Sequence, residues 1–292
     1  MMKRPSLPVD YAHTCMNHFI VLDLRETQEM ATDALSDLAV TLCSSPLCDD
    51  LLVLQSSKIA DVRLRIVGAD GLEADFCANG LLYVSSKIGD ELGREAVMIE
   101  TPAGVRKASR NGDGWQAEVG VAERIDIDPA LSGDLPVLGL MRAGEPHLVL
   151  SRPDALPGFN IDRTEFEKYC RPLRSFGDIA GGTNVTIVFQ QRDDSILIRT
   201  FERGVGRHTL SCGTGSVAAV AAVYGTPERA RRFQVCSPGG THSVYFDGTH
   251  WHLAARPVRI GSGFLRDGQI CLPLEHLQRY RPEPASIPST NP

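Results

Sequence analysis

No stretch of this chain is apolar for the roughly 18 residues that a membrane-crossing helix needs, and the basic start MMKRP is not followed by the apolar segment of a secretory leader. The expectation is a cytoplasmic protein with no membrane partner. Lysine and arginine form no basic stripe: 30 of them stand against 36 acidic residues, a formal charge of −6, which argues against nucleic acid as a partner. Aromatic residues are sparse, at 6%. Trp115 and Trp251 each sit beside a Gly or Asp turn, so no platform for stacking bases is expected. Cysteine occurs eight times but never in CxxC spacing, and the histidines form no HxxxH-like group. A disulfide framework, structural zinc and a catalytic metal are therefore not expected. Cys15, Cys43, Cys48, Cys170, Cys236 and Cys271 read as small buried hydrophobes or surface residues.

What is present is an ordinary globular composition, 42% hydrophobic and 23% charged, over 292 residues, a length that suits two domains better than one. The run HFIVLDL predicts a strand, and MATDALSDLAVTLC after it has the spacing of an amphipathic helix. LLVLQSS and DVRLRIVGADG follow as hairpin strands ending in the Asp70-Gly71 turn signal. After Cys77-Ala78-Asn79-Gly80 comes a helical stretch with a Gly stop, then the strand VMIETPAGV. The order recurs from Leu138: MRAGEPHLVL, a polar connection, NVTIVFQQ, SILIRTFERG, Cys212-Gly213-Thr214-Gly215, the helix SVAAVAAVYG and the strand FQVCSPGG. Setting Cys77 on Cys212, about 135 residues apart, brings Thr101-Pro102-Ala103-Gly104 within about one residue of Ser237-Pro238-Gly239-Gly240. An internal repeat of this kind predicts two α+β domains facing one another, helix N-termini toward the cleft. The halves are expected at about 1–130 and 131–262, with a strand from about 263–275 completing the first and a polar, Pro-rich tail over 276–292.

A cysteine just before a helix has unsatisfied backbone N–H groups around it and the positive end of a macrodipole beside it, which favours the thiolate. One such sulfur can be a base while its counterpart stays a proton-bearing acid. The same N–H groups can cradle a carboxylate, and the adjacent glycines let it approach closely. Two sulfurs and an anion cradle suit removal of the α-proton of an amino acid on one face and its return on the other, with the carbanion charge held by helix N-termini. Such chemistry needs no pyridoxal cofactor.

The residues resemble those of the diaminopimelate epimerase family, cofactor-independent enzymes with two such cysteines. The resemblance runs from Asn17-His18-Phe19-Ile20-Val21-Leu22-Asp23 through Ala69-Asp70-Gly71-Leu72-Glu73 and Cys77-Ala78-Asn79-Gly80 to Gly144-Glu145-Pro146-His147 and Thr183-Asn184-Val185. It is strongest at Glu202-Arg203-Gly204-Val205-Gly206 with Thr209-Leu210-Ser211-Cys212-Gly213-Thr214-Gly215, and ends at Pro238-Gly239-Gly240. It implies two pseudo-symmetric domains, each a strongly curved mixed β-sheet or barrel around a central helix, with the active site in the cleft between them. It implies that Cys77 and Cys212 are the opposed acid/base pair and that amides near Ala78, Asn79, Gly213 and Thr214 hold the reacting carboxylate. Asn17, Asn184 and Arg203 become substrate-pocket residues, Glu202 a holder of an ammonium group, and His147 an orienting group or proton shuttle. A small-molecule amino acid is the expected partner, no cofactor is expected, and a homodimer is usual in the family.

Three positions depart from the family pattern. Gly68 stands where Asn usually precedes Ala-Asp-Gly, Glu145 stands where Asn occurs in Gly-Asn-Pro-His, and Leu72 replaces a small polar residue. In the family the first two positions help bind the far end of the substrate. A carboxylate at 145 is expected to repel a distal carboxylate or to pair with Arg203 and silence it. The reaction type is expected to survive; the substrate is diaminopimelate or an amino acid with a neutral or cationic distal group. Two other classes stay open: a thiol-nucleophile hydrolase or acyltransferase with either cysteine activated by His147 or His208, and a protein that binds an amino acid without chemistry. For the first class the expectation is that only one sulfur matters; for the second, that neither does.

Overall fold

The computed structural model describes residues 6–27, 29–44, 48–128, 133–266 and 268–272; the proposed tail at 276–292 lies outside them. The chain divides into two compact units, one running to Ala117 and resuming at Arg256, the other spanning Glu118–Ala255. The first contains β1 (Leu7–Thr14), β2 (Asn17–Asp23), α1 (Thr32–Leu42), β3 (Asp50–Gln55), β4 (Val62–Gly68), β5 (Glu73–Ala74), α2 (Ala78–Leu92), β6 (Ala96–Thr101) and β7 (Gly104–Asn111), and β8 (Gly114–Gly120) opens in it. The second contains β9 (Glu123–Ile125), β10 (Val137–Ala143), β11 (Glu145–Ser151), α3 (Arg163–Cys170), β12 (Asn184–Gln191), β13 (Ser195–Glu202), β14 (Arg207–Thr209), α4 (Gly213–Tyr224), β15 (Arg231–Ser237), β16 (Gly240–Phe246) and β17 (Trp251–Ala255). The first unit is completed by β18 (Pro257–Arg266) and β19 (Gln269–Cys271).

Both units are wound the same way. In the first, hydrogen bonds run in the order β19, β18, β1, β2, β3, β4, β6, β7, β8, with β2–β3 and β4–β6 parallel and the other neighbours antiparallel. In the second the order is β9, β10, β11, β12, β13, β15, β16, β17, with β11–β12 and β13–β15 parallel. Each parallel step needs a crossover, and a helix fills each one: α1 between β2 and β3, α2 between β4 and β6, α3 between β11 and β12, α4 between β13 and β15. The polar connection of the sequence thus contains a helix, α3. Its Asp162 cap accepts from Thr164 N and Glu165 N, yet only Phe166 and Cys170 of its residues are buried, too few to stand out as an apolar stripe.

Within each unit the sheet curls around one helix. The α2 helix rests on β1 and β18 and also on β4, β6 and β7; α4 rests on strands from β10 to β17. The α4 sequence GTGSVAAVAAVY is apolar on all sides and buried from Gly213 to Ala221, the composition of a helix with no solvent face. Its alanines and glycines let strands approach from every direction. Trp115 of β8 and Trp251 of β17 occupy matching strands and are each 1% exposed, so the two tryptophans are core plugs. Trp115 lies over Gly89 of α2, where a Cβ would run into the indole ring.

A second core lies outside each curled sheet. In the first unit Leu35 and Ala39 of α1 pack with Leu22, Leu51 and Val53, and with Cys43 and Cys48, whose sulfurs are 2.8 Å apart. In the second, Phe166 and Cys170 pack with Leu148, Leu150, Ile187 and Phe201. Cys236 is also buried, Cys271 is exposed and Cys15 is half-buried. Cys15 and Met16 form the β1–β2 turn at φ 47° and 61°, a left-handed pair that glycine or asparagine usually occupies. That turn delivers Asn17.

Candidate active site

Cys77 and Cys212 hold the same structural post in the two units. Each is the N-cap of its unit's central helix in an extended conformation, φ −133° and ψ 103° for Cys77, φ −135° and ψ 117° for Cys212. Each sulfur accepts a hydrogen bond at 3.4 Å from the backbone N–H three residues on, Gly80 N or Gly215 N. The thiol therefore does the capping that Ser, Thr or Asp does elsewhere. Ala78, Asn79, Gly213 and Thr214 supply the first-turn amides, which a helix cannot satisfy internally. The glycines answer a steric need. A Cβ at Gly80 would come within 3.0 Å of Leu52 and 3.3 Å of Cys77 Sγ; one at Gly215 would lie 3.0 Å from Thr200 Oγ1 and 3.1 Å from Thr186 Oγ1.

In the first unit the predicted residues Asn17 and Asn79 meet beside Cys77. Asn79 Nδ2 donates to Asn17 Oδ1 at 3.2 Å, and Thr14 Oγ1 donates to Asn79 O at 3.0 Å. Asn17 Nδ2 donates in turn to Asp49 Oδ2 at 2.9 Å, which also accepts from His18 N. Asp50 Oδ2 lies 4.0 Å from Cys77 Sγ, and Gly68 is its partner in the β3–β4 ladder. Gly68 thus lies opposite a residue that touches the sulfur and offers no side chain there.

In the second unit one hydrogen-bonded chain joins most of the predicted residues. Cys212 Sγ is 3.4 Å from Thr214 Oγ1, Thr214 Oγ1 is 2.9 Å from His147 Nε2, and His147 Nδ1 is 3.1 Å from Thr186 Oγ1. Asn184 Nδ2 lies 3.4 Å from His147 Nε2 and donates to Pro146 O, while Asn184 Oδ1 accepts from Arg203 N at 2.9 Å. The Arg203 guanidinium donates to Gly182 O at 3.0 Å and makes an ion pair with Glu145. The pairing that the sequence offered as one outcome of the Asn-to-Glu change is made. Thr209 Oγ1 donates to Glu202 Oε1 at 2.5 Å.

Electrostatics separate Cys212 from the expectation of a favoured thiolate. Burial pushes its thiol well above the ordinary value, and the Glu202 carboxylate adds to the rise; the hydrogen bonds from Thr214 and Gly215 offset only part of it. Cys212 is 4% exposed and rests as a thiol. His147 is fully buried and its pKa falls to about 3, through burial first and the Arg203 charge second. It is a neutral imidazole whose two nitrogens meet threonine hydroxyls, and its lowered pKa makes it a weak base for Cys212. His208 belongs to the second unit's outer core, accepting from Arg199 Nε at 3.1 Å and meeting Phe166 edge-on at 5.2 Å.

Asp49, Asp50, Thr14 and Thr186 were not foreseen as site residues. The signal for Asp50 lies in the repeat: it opens β3 as Asn184 opens β12, just as Asn17 opens β2 where Glu145 opens β11. Carrying the alignment from the cysteine loops back to those strands would have marked it.

The curled sheets with a thiol-capped helix inside define an α+β fold of the epimerase and racemase type. It superposes on a hydroxyproline epimerase from Agrobacterium vitis with a TM-score of 0.64, at 15% identity over 94% of this chain and 96% of that one. A PhzF-family phenazine biosynthesis protein from Bacillus anthracis gives a TM-score of 0.66, at 14% identity over 90% and 99%. Sequence narrows the class. A family model described as diaminopimelate epimerase matches residues 142–250. The diaminopimelate epimerase of Chlamydia muridarum is 33% identical over 218 residues, 69% of this chain and 76% of the relative. That of Methanothrix thermoacetophila is 29% identical over 269 residues, 86% and 93% of the two chains. This chain belongs to the diaminopimelate epimerase family and is an isomerase, an amino-acid epimerase.

Proposed function

We propose that the enzyme inverts the α-carbon of an amino acid with Cys77 and Cys212 as base and acid on opposite faces. One thiolate takes the α-proton; the electron pair left on carbon spreads into the carboxylate, and the other thiol delivers its proton to the far face. The two sulfurs end with their protonation exchanged. The observation that carries this reading is the matched placement of the two thiols, each capping the buried helix of its own unit. Helix N-termini beside both sulfurs suit them to stabilising the negative charge that develops on the substrate carboxylate. In this reading Glu202, which raises the Cys212 thiol, receives the α-ammonium, and neutralising it would ease proton loss from that sulfur. The substrate is diaminopimelate, for which the relatives are named, or an amino acid related to it.

Incubation in deuterated water with the L forms of candidate amino acids tests this. The wild type is expected to build solvent deuterium into the inverted product, and Cys77→Ser and Cys212→Ser each to lower inversion about 100-fold or more, the usual reach of a positioned acid or base. Full inversion by either variant would sink the two-base reading.

A further inference from the structure

The Arg203 guanidinium is the cation in the hydrogen-bonded chain that leads from Cys212 through Thr214, His147 and Asn184. An unpaired guanidinium forks onto a carboxylate, and the family resemblance implies that this one would meet the far end of a substrate. In this protein the carboxylate is built in. Glu145, 7% exposed at the start of β11, pairs with Arg203 Nη2, and Gly182 O takes Nη1. The hairpin turn at Gly144, φ 79°, fixes the backbone from which Glu145 reaches. The Glu145–Arg203 pair carries no net formal charge, while Glu202, the next residue, is engaged by Thr209 and acts on Cys212.

From this pairing, and resting on the epimerase reading above, we infer that the enzyme acts on amino acids whose side chain ends in a cationic or neutral group, and that Glu145 sets this preference. A carboxylate-ended side chain meets an arginine whose charge Glu145 already offsets, and displacing Glu145 would leave a buried carboxylate without its cation, a penalty that acts against that substrate. A cationic or neutral side chain leaves the pair intact.

The test is α-deuterium exchange by the full chain over a panel of L-lysine, L-ornithine, L-arginine, L-histidine, L-methionine, L-glutamate and LL-diaminopimelate. Exchange with at least one cationic or neutral amino acid is expected to exceed that with glutamate and diaminopimelate at least tenfold in kcat/KM. Glu145→Gln is expected to shrink that ratio about tenfold by releasing Arg203. Wild-type enzyme that exchanges diaminopimelate fastest overturns the inference while leaving the epimerase reading standing, and it decides the matter even if the variant does not fold. A folded Glu145→Gln enzyme with an unchanged ratio overturns it too. Exchange with no member of the panel sinks the epimerase reading and this inference with it.

Discussion

A sulfur is a poor hydrogen-bond acceptor and a weak donor, so two thiols serving as helix caps do so less well than an oxygen would, which is in keeping with the acid and base roles proposed for them. The Cys212 environment shows how the choice is used. Burial raises the thiol, and the like charge of the Glu202 carboxylate raises it further. Replacing Glu202 by Gln removes the like charge but leaves the burial, and the Cys212 pKa is expected to fall without reaching that of an exposed thiol. Peptide-resolved alkylation of the unliganded enzyme across pH 7 to 10 reads this directly. Cys212 in Glu202→Gln should react several-fold faster than in the wild type at equal pH, and an unchanged rate would show that the carboxylate does not control the proton.

At the level of elements, α2 and α4 are held by glycines whose missing Cβ is filled by something else. At Gly89 two effects oppose one another. Alanine would raise helix propensity by about 0.5–1 kcal/mol, but its Cβ would run into the Trp115 ring and press on Arg94 O, and overpacking of a core costs about 1–3 kcal/mol. The second is larger, so Gly89→Ala is expected to destabilise by about 1–2 kcal/mol in urea denaturation, whereas Gly158→Ala, with nothing within 4 Å of the new carbon, should lie close to wild type. Equal midpoints for the two variants would contradict the packing seen at Trp115. These elements were legible to different degrees. The central helices and the turns at Thr101–Gly104 and Ser237–Gly240 stand out because glycines, prolines and cysteines punctuate both halves alike. The α3 helix stayed hidden because its buried face is two residues wide. Asp49 and Asp50 stayed hidden because a pair of acids at a strand start looks like solvated charge until the β2–β3 ladder brings it under Asn17 and beside Cys77.

For the whole molecule, the buried histidines set the acid limit of stability. Burial lowers His13 and His242 to about 4 and His147 and His208 to about 3, against an ordinary value of 6.5. All four are neutral in the fold and take up a proton when the chain unfolds at mildly acidic pH. The unfolded state therefore binds more protons below about 6.5, and stability is full above that value and drains as pH falls toward 4 and then 3. Each histidine contributes a slope of at most about 1.4 kcal/mol per pH unit in that window. Three of the four lie in the second unit, so its slope reaches about 4 kcal/mol per unit, enough to exhaust a typical domain stability within two or three units. The carboxylates held low by hydrogen bonds and cations, Asp23, Asp162, Glu167 and Asp247, withdraw their share only below the ordinary carboxylate range, after the histidines have acted. On the alkaline side the sign reverses: Cys15, raised to about 12, together with Cys48, Cys170 and Cys212, holds its proton in the fold and loses it in the unfolded chain above about 8.5. Denaturant unfolding followed from pH 4 to 10 should thus give a plateau between about 7 and 8.5 with losses on both flanks, the acid flank beginning near 6.5. Stability that stays level from pH 7 down to 4.5 would show that these imidazoles are protonated in the fold, and the neutral His147 at the heart of the Cys212 network would fall with them.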